Sequence, residues 1–236
     1  MKIILLIILL SLSLSVLADD KYGELIFEDK FERKESQETK DEPGNGWLTN
    51  SKRRAKGNKQ TDLRDGHIYV FRHKEADHAA SLKREIEFQN GTIGIKLKFA
   101  DKKDNIYLNL ADPQEKSVHA GHLFHITIKP DRVILVDLKT GQMDLKIRPA
   151  YQNKTLTEEQ KKLMASKQKA FRNKLALDKW HQVYATINGD EISVEINGKA
   201  VASFKSPGFS HPIKRNLRFL VGKGVSIDDV QVWKKD

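Results

Sequence analysis

Trp180-His181-Gln182-Val183-Tyr184-Ala185-Thr186-Ile187-Asn188-Gly189-Asp190-Glu191-Ile192-Ser193-Val194-Glu195-Ile196-Asn197-Gly198-Lys199-Ala200-Val201-Ala202-Ser203-Phe204 holds three runs of alternating apolar and polar residues, separated by two Asn-Gly pairs. Alternation at period two sends successive side chains to opposite faces, the pattern of a half-buried antiparallel strand. Asn-Gly accepts the positive φ angles of a two-residue hairpin turn. The stretch therefore predicts a three-stranded meander.

The same period extends outward in both directions. Ile93, Ile95, Leu97 and Phe99 alternate without a break, as do Ile106, Leu108 and Leu110, and Phe124, Ile126 and Ile128. Leu25, Phe27 and Phe31, then Ile68 and Val70, then Ile86 and Phe88 mark shorter strands. Val133 to Leu138 is more continuously apolar, which predicts a strand covered on both faces. Leu217 to Val221 and Val225 to Trp233 read as a final pair, with Gly222 and Gly224 at the turn. Trp180 and Trp233, at the two ends of this C-terminal region, read as packing residues. The fold class is all-β, a two-layer antiparallel jelly-roll sandwich.

One segment departs from the pattern. Thr157-Glu158-Glu159-Gln160 has the form of a capping box, and no helix breaker follows from Lys161 to Leu175. One inserted amphipathic α-helix is expected between Thr157 and Leu177, with Leu163, Ala170 and Phe171 on its apolar face. Its basic side is either a solvated cover for the sheet or a binding surface.

At the N-terminus Met1-Lys2 precedes an apolar run from Ile3 to Leu17, which ends in Val16-Leu17-Ala18. A basic start, an apolar middle and a small-residue end predict a secretory signal peptide over 1–18, cleaved after Ala18. The run is shorter than the roughly 20 residues a spanning helix needs. The mature chain, 19–236, suits one domain, secreted or periplasmic. It has no cysteine, but a chain of this size buries enough apolar surface without disulfides. The 42 Lys and Arg exceed the 32 Asp and Glu, giving a formal charge of +10. These basic residues are spread along the chain with acids among them. With export, this argues against nucleic acid as partner.

Candidate chemistry is sparse. There is no G-x-S-x-G, no Gly-rich phosphate loop and no thiol nucleophile. Glu85 and Glu87 share a strand face, as carboxylates do in laminarinase-type sandwich enzymes, but the E-x-D-x-x-E run of those enzymes is not present. His119, His122 and His125 recur at spacing three. An odd spacing places His122 and His125 on opposite faces of a regular strand, which argues against a metal site. Tyr107 and Asn109 lie opposite Ile106, Leu108 and Leu110. An aromatic beside an amide on an outer face suits carbohydrate, and it also suits an ordinary polar outer face. Asn90-Gly91-Thr92 and Asn153-Lys154-Thr155 match the N-glycosylation pattern, which matters only in a eukaryotic host.

Leu25-Ile26-Phe27-Glu28-Asp29-Lys30-Phe31 resembles the F-x-D-x-F opening of concanavalin A-like sandwich domains of bacterial secreted proteins. Trp180-His181, Asn188-Gly189-Asp190 and Asn197-Gly198-Lys199 are similar to their W-H meander, and Ile227-Asp228-Asp229-Val230-Gln231-Val232-Trp233 to their closing strand. These relatives are the laminin-G-like and 3-keto-disaccharide hydrolase-like domains. The hydrolase-like members show an N-S-G segment and an E-x-Q strand. Asn90-Gly91-Thr92 and the strand from Gly121 to His125 stand where those would fall, without either motif, so no catalytic residue carries over.

The expected function is binding of a glycan or other extracellular polymer, without an evident catalytic motif. Tyr107, Asn109, His122 and His125 are the candidate carbohydrate-binding residues. No cofactor or metal is expected, and no stable membrane insertion after leader removal. Two alternatives stand beside this reading. One is a hydrolase or lyase on a modified (3-keto) disaccharide, of glycoside hydrolase or lyase type, working from a cleft with His122, His125 and nearby carboxylates as acid–base groups. The other is a structural or interaction protein of the envelope.

Overall fold

The computed structural model describes residues 21–235, so the expected leader over 1–18 lies outside the described residues. In chain order the strands are β1 (Glu24–Asp29), β2 (Leu48–Thr49), β3 (Thr61–Arg64), β4 (His67–Phe71), β5 (Ala80–Phe88), β6 (Asn90–Lys98), β7 (Ile106–Ala111), β8 (His122–Ile128) and β9 (Arg132–Asp137). They continue with β10 (Gln168–Arg172), β11 (Trp180–Asn188), β12 (Glu191–Ile196), β13 (Lys199–Lys205), β14 (Lys214–Val221) and β15 (Gly224–Lys235). Among the described residues, short helices are α1 (Ser51–Arg54), α2 (Arg148–Gln152) and α3 (Glu158–Ser166).

The strands form two antiparallel sheets. One runs β13-β12-β11-β6-β15-β4-β3, with β1 also paired to β15; the other runs β10-β9-β8-β7-β14-β5-β2. Alternation puts Ile93, Ile95 and Leu97 of the first sheet against Leu108, Leu110 and Phe219 of the second, all fully buried. These inner faces form the apolar filling of a β-sandwich.

The predicted meander is β11-β12-β13. At its second turn Asn197 and Gly198 both have positive φ, 51° and 76°. At the first, Asn188 is still a strand residue paired with Glu191, and Gly189 takes the positive φ of 56°. The F-x-D-x-F opening has a physical role. The buried Asp29 carboxylate accepts from Trp47 Nε1 (2.7 Å), Arg33 (2.7 Å) and the Phe31 amide (2.8 Å), tying β1 to the following loop.

Three expectations need correction. The last two strands are not a hairpin. β14 lies between β7 and β5, while β15 lies between β6 and β4 in the opposite sheet, so Gly222-Lys223 crosses the sandwich. The inserted helix is shorter than its pattern. Thr157 does cap it, with both capping-box hydrogen bonds formed, but α3 stops at Ser166. Gln168–Arg172 pairs with β9 instead, because an open sheet edge offers backbone partners that outweigh helix propensity. The two tryptophans also differ. Trp233 is buried on the outer face of its sheet, with Tyr22 5.1 Å from it and Gly94 leaving room for the indole; a Cβ on Gly94 would come within 2.9 Å. Trp180 is 39% exposed, with the His67 ring at its edge and the Lys98 ammonium over its face.

Candidate functional site

Buried Leu108 and Leu110 point β7 inward at every second residue, so Tyr107, Asn109 and Ala111 lie on the outer face of the second sheet. Pairing extends that face sideways. Lys83, Arg218, Asn109, His125, Val136 and Gln168 stand in one register row across β5, β14, β7, β8, β9 and β10. Leu220, Tyr107, Thr127 and Ile134 form the next row. Directly opposed side chains in such rows have Cβ atoms about 4.5–5.5 Å apart. Ile134 and Val136 are half-buried here, so β9 is apolar on both faces, as its sequence indicated.

His122 joins this face through an irregularity. Leu110 pairs with Phe124 but Ala111 pairs with His122, so β8 carries one extra residue. Such a bulge shifts the alternation by one position. It overturns the expectation that His122 and His125 lie on opposite faces.

Asn109 is buried rather than open to a ligand. Its Nδ2 donates to the Phe124 carbonyl (3.1 Å), and its Oδ1 lies 3.0 Å from His122 Nδ1. A carbonyl only accepts, so the amide orientation is set. Oδ1 then accepts from an Nδ1–H, which leaves His122 Nε2 with a free lone pair. Burial, reinforced by the charges of Arg218, His119 and Arg148, pushes the His122 imidazole down to about 4. Burial, with a smaller contribution from His122, does the same to His125, also to about 4. Both rings are therefore neutral at physiological pH. The half-buried Tyr107 meets the His125 ring edge-to-face at 5.2 Å.

Two hollows flank the cluster. One of about 310 Å³ is lined by Val136 and Gln168 of the sheet and by Tyr151 and Met164 of the helical insertion. Val136 is also the cross-strand neighbour of His125. The other, about 390 Å³, includes Glu85, Glu87, Arg215 and Asn216. The two glutamates do not form a free carboxylate pair, since Lys83 is 3.4 Å from Glu85 and Arg215 is 3.6 Å from Glu87.

The structure thus brings Tyr107, His122 and His125 together and gives Asn109 a positioning role. His119 sits on an exposed 3-10 turn within electrostatic reach of His122, its amide bonded to the Met143 carbonyl. Among the described residues the acidic cluster with metal-like donor spacing is Glu35, Glu38 and Asp62, and the Lys59 ammonium already occupies it, 2.8 Å from Asp62 and 3.6 Å from Glu38. Sequence reasoning missed Arg218. The signal was there: Leu217 and Phe219 point inward, so the residue between them points out.

The laminin G domain profile matches residues 115–234. No curated protein sequence matches the chain. Among solved structures, the laminarinase from Flavobacterium sp. UMI-01 is similar over 89% of this chain and 100% of its own, at 12% identity and a TM-score of 0.57. The laminarinase from Rhodothermus marinus is similar over 90% and 97%, at 10% identity and 0.57. A third is a variant of SCLam, a non-specific endo-β-1,3(4)-glucanase from family GH16, co-crystallised with 1,3-β-D-cellotriosyl-glucose. It is similar over 91% and 95%, at 13% identity and 0.57. At these identities the likeness is one of fold: a concanavalin A-like, laminin-G-like jelly-roll sandwich.

Proposed function

The chain belongs to the laminin G domain family, and we propose that it is an exported glycan-binding module, without catalysis of its own, that takes saccharide on the outer face of β7, β8 and β14. The observation that carries this is the Asn109–His122 pair (3.0 Å), which presents a neutral imidazole with a free Nε2 acceptor on the same sheet face as Tyr107. A sugar hydroxyl donates to such a nitrogen, and a half-buried aromatic packs on sugar C–H groups. The hollows on either side give an oligosaccharide room along the sheet. The SCLam variant, of similar fold, holds a glucan oligosaccharide in its crystal, which supports the class of ligand.

A glycan array probed with the wild type, Tyr107→Ala and His122→Ala tests the reading. We expect binding to be lost from both variants while both keep the wild-type β-sheet signal in circular dichroism. Retained binding in both would refute it. Export is tested separately by intact mass. Protein recovered outside the cytoplasm should begin at Asp19, and a mass that includes Met1 to Ala18 would contradict this. Among the described residues no helix is long and apolar enough to cross a membrane.

A second reading, a hydrolase or lyase on a modified disaccharide, draws on the same neutral His122, whose Nε2 could serve as a general base. Turnover of a 3-keto-disaccharide by the wild type, abolished in His122→Ala, would select it over binding alone.

A further inference from the structure

Arg218 stands in the central row of the candidate site, with Lys83 on one side and Asn109 on the other. Buried Leu217 and Phe219 hold it on the outer face, where it is half-buried. Among the described residues its guanidinium makes no ion pair or side-chain hydrogen bond. The acids nearest in the register are already engaged. Glu85 faces Lys83 at 3.4 Å, Glu87 faces Arg215 at 3.6 Å, and Asp112 accepts from both Arg215 and His211 at 3.0 Å.

A second arginine accompanies it. Arg148 of α2 lies within electrostatic reach of His122, and among the described residues its side-chain hydrogen bond is to the Met143 sulfur (3.1 Å). Two guanidiniums without carboxylates among the described residues, both within electrostatic reach of His122, which burial keeps neutral, make the surroundings of that imidazole locally cationic. Removing a cation from water without a counter-charge is costly, and proteins ordinarily pair such groups. Guanidinium has the fork geometry that binds carboxylate or sulfate through two parallel hydrogen bonds.

From this arrangement we infer that the ligand is an acidic saccharide, whose carboxylate or sulfate is held by Arg218, with Arg148 nearby, while a neighbouring hydroxyl donates to His122 Nε2. The inference rests on the glycan-binding reading and narrows it to one ligand class. Arg218 is the residue that sets specificity, and His122 and Tyr107 recognise the sugar whatever its charge.

The test is calorimetric titration of the whole mature chain with three probes at about 0.15 M salt, where long-range charge attraction is screened. They are an oligogalacturonate, a sulfated galactan oligosaccharide and a neutral laminari-oligosaccharide. We expect at least one acidic probe to bind the wild type more tightly than the neutral one, and Arg218→Gln to weaken it by about tenfold or more. Arg218→Lys should retain part of the binding, and the neutral probe should be weakened less than the acidic one by either change. The two acidic probes tell carboxylate from sulfate. Equal binding of neutral and acidic probes, or acidic binding that survives Arg218→Gln, overturns the inference while leaving glycan binding intact. Binding of none of the three overturns both. Equally tight binding of a single-stranded DNA oligomer would show a general polyanion surface and also overturn it. Melting temperatures of the variants, expected to be unchanged, keep loss of binding distinct from loss of fold.

Discussion

Asn109 dictates which nitrogen of His122 carries the proton. The Phe124 carbonyl takes the amide NH₂, so the amide oxygen must face Nδ1, and Nδ1 must be the protonated nitrogen. Asn109→Leu removes the partner of both groups. Nitrogen-15 NMR of labelled imidazole should show the Nδ1–H tautomer in the wild type and a shift towards Nε2–H in the variant. Loss of the two Asn109 side-chain hydrogen bonds should cost about 0.5–1.5 kcal/mol of stability each, read by denaturant titration. An unchanged tautomer would contradict the assignment.

His122 and His125 make the domain acid-sensitive. Both imidazoles are pushed from 6.5 to about 4 in the folded chain. Between about pH 6.5 and about pH 4 the unfolded chain therefore binds more protons than the folded one, so stability falls as pH falls through that window and levels off below it. Each tenfold difference in proton affinity is worth about 1.4 kcal/mol. Denaturation midpoints at neutral and mildly acidic pH should show the loss, and His125→Phe should reduce it.

Burial separates Trp233 from Trp180. Trp233 lies under Tyr22 and beside Tyr184, so Trp233→Ala should cost about 3–5 kcal/mol. Trp180 is exposed and loses chiefly its contacts with Lys98 and His67, so Trp180→Ala should cost about 1 kcal/mol or less. Thermal unfolding of the two variants measures the difference. Similar losses in both would show that the exposed ring carries structural weight.

Lys214 is buried without a carboxylate and donates to the carbonyls of Gln89 and His211. Burial, with the nearby Lys139 charge, pushes its ammonium from 10.5 down to about 8. The unfolded chain holds that proton to about pH 10.5, so between about 8 and 10.5 it binds more protons and stability rises with pH. Comparing wild type with Lys214→Met by chemical denaturation across this range isolates the contribution. The rise should be absent from the variant.

Alternation alone was enough to find β7 and to place Tyr107 and Asn109 on one side of it, because buried leucines at every second position leave no other choice. It failed at His122, where one extra residue in β8 reverses parity and nothing in the local composition marks the bulge. It failed again at 168–172, whose residues continue a helical pattern but find a sheet edge at β9. Arg218 was readable as an outward residue. Its place between Lys83 and Asn109 was not, because β5, β14 and β7 are distant in the chain and their order is a property of the whole sandwich.

The pairing of β1 with β15 has a consequence for how the molecule is made. Glu24 lies opposite Lys234, so the first described strand finds its partner only when every other described strand has been synthesised. Contacts so far apart in sequence are slow to form, since loop-closure entropy is lost before they can contribute. Until then β15 lacks one of its neighbours, and Trp233 lacks Tyr22, its cover. A ribosome-bound nascent chain that stops short of β15 therefore leaves β1 without a place to dock.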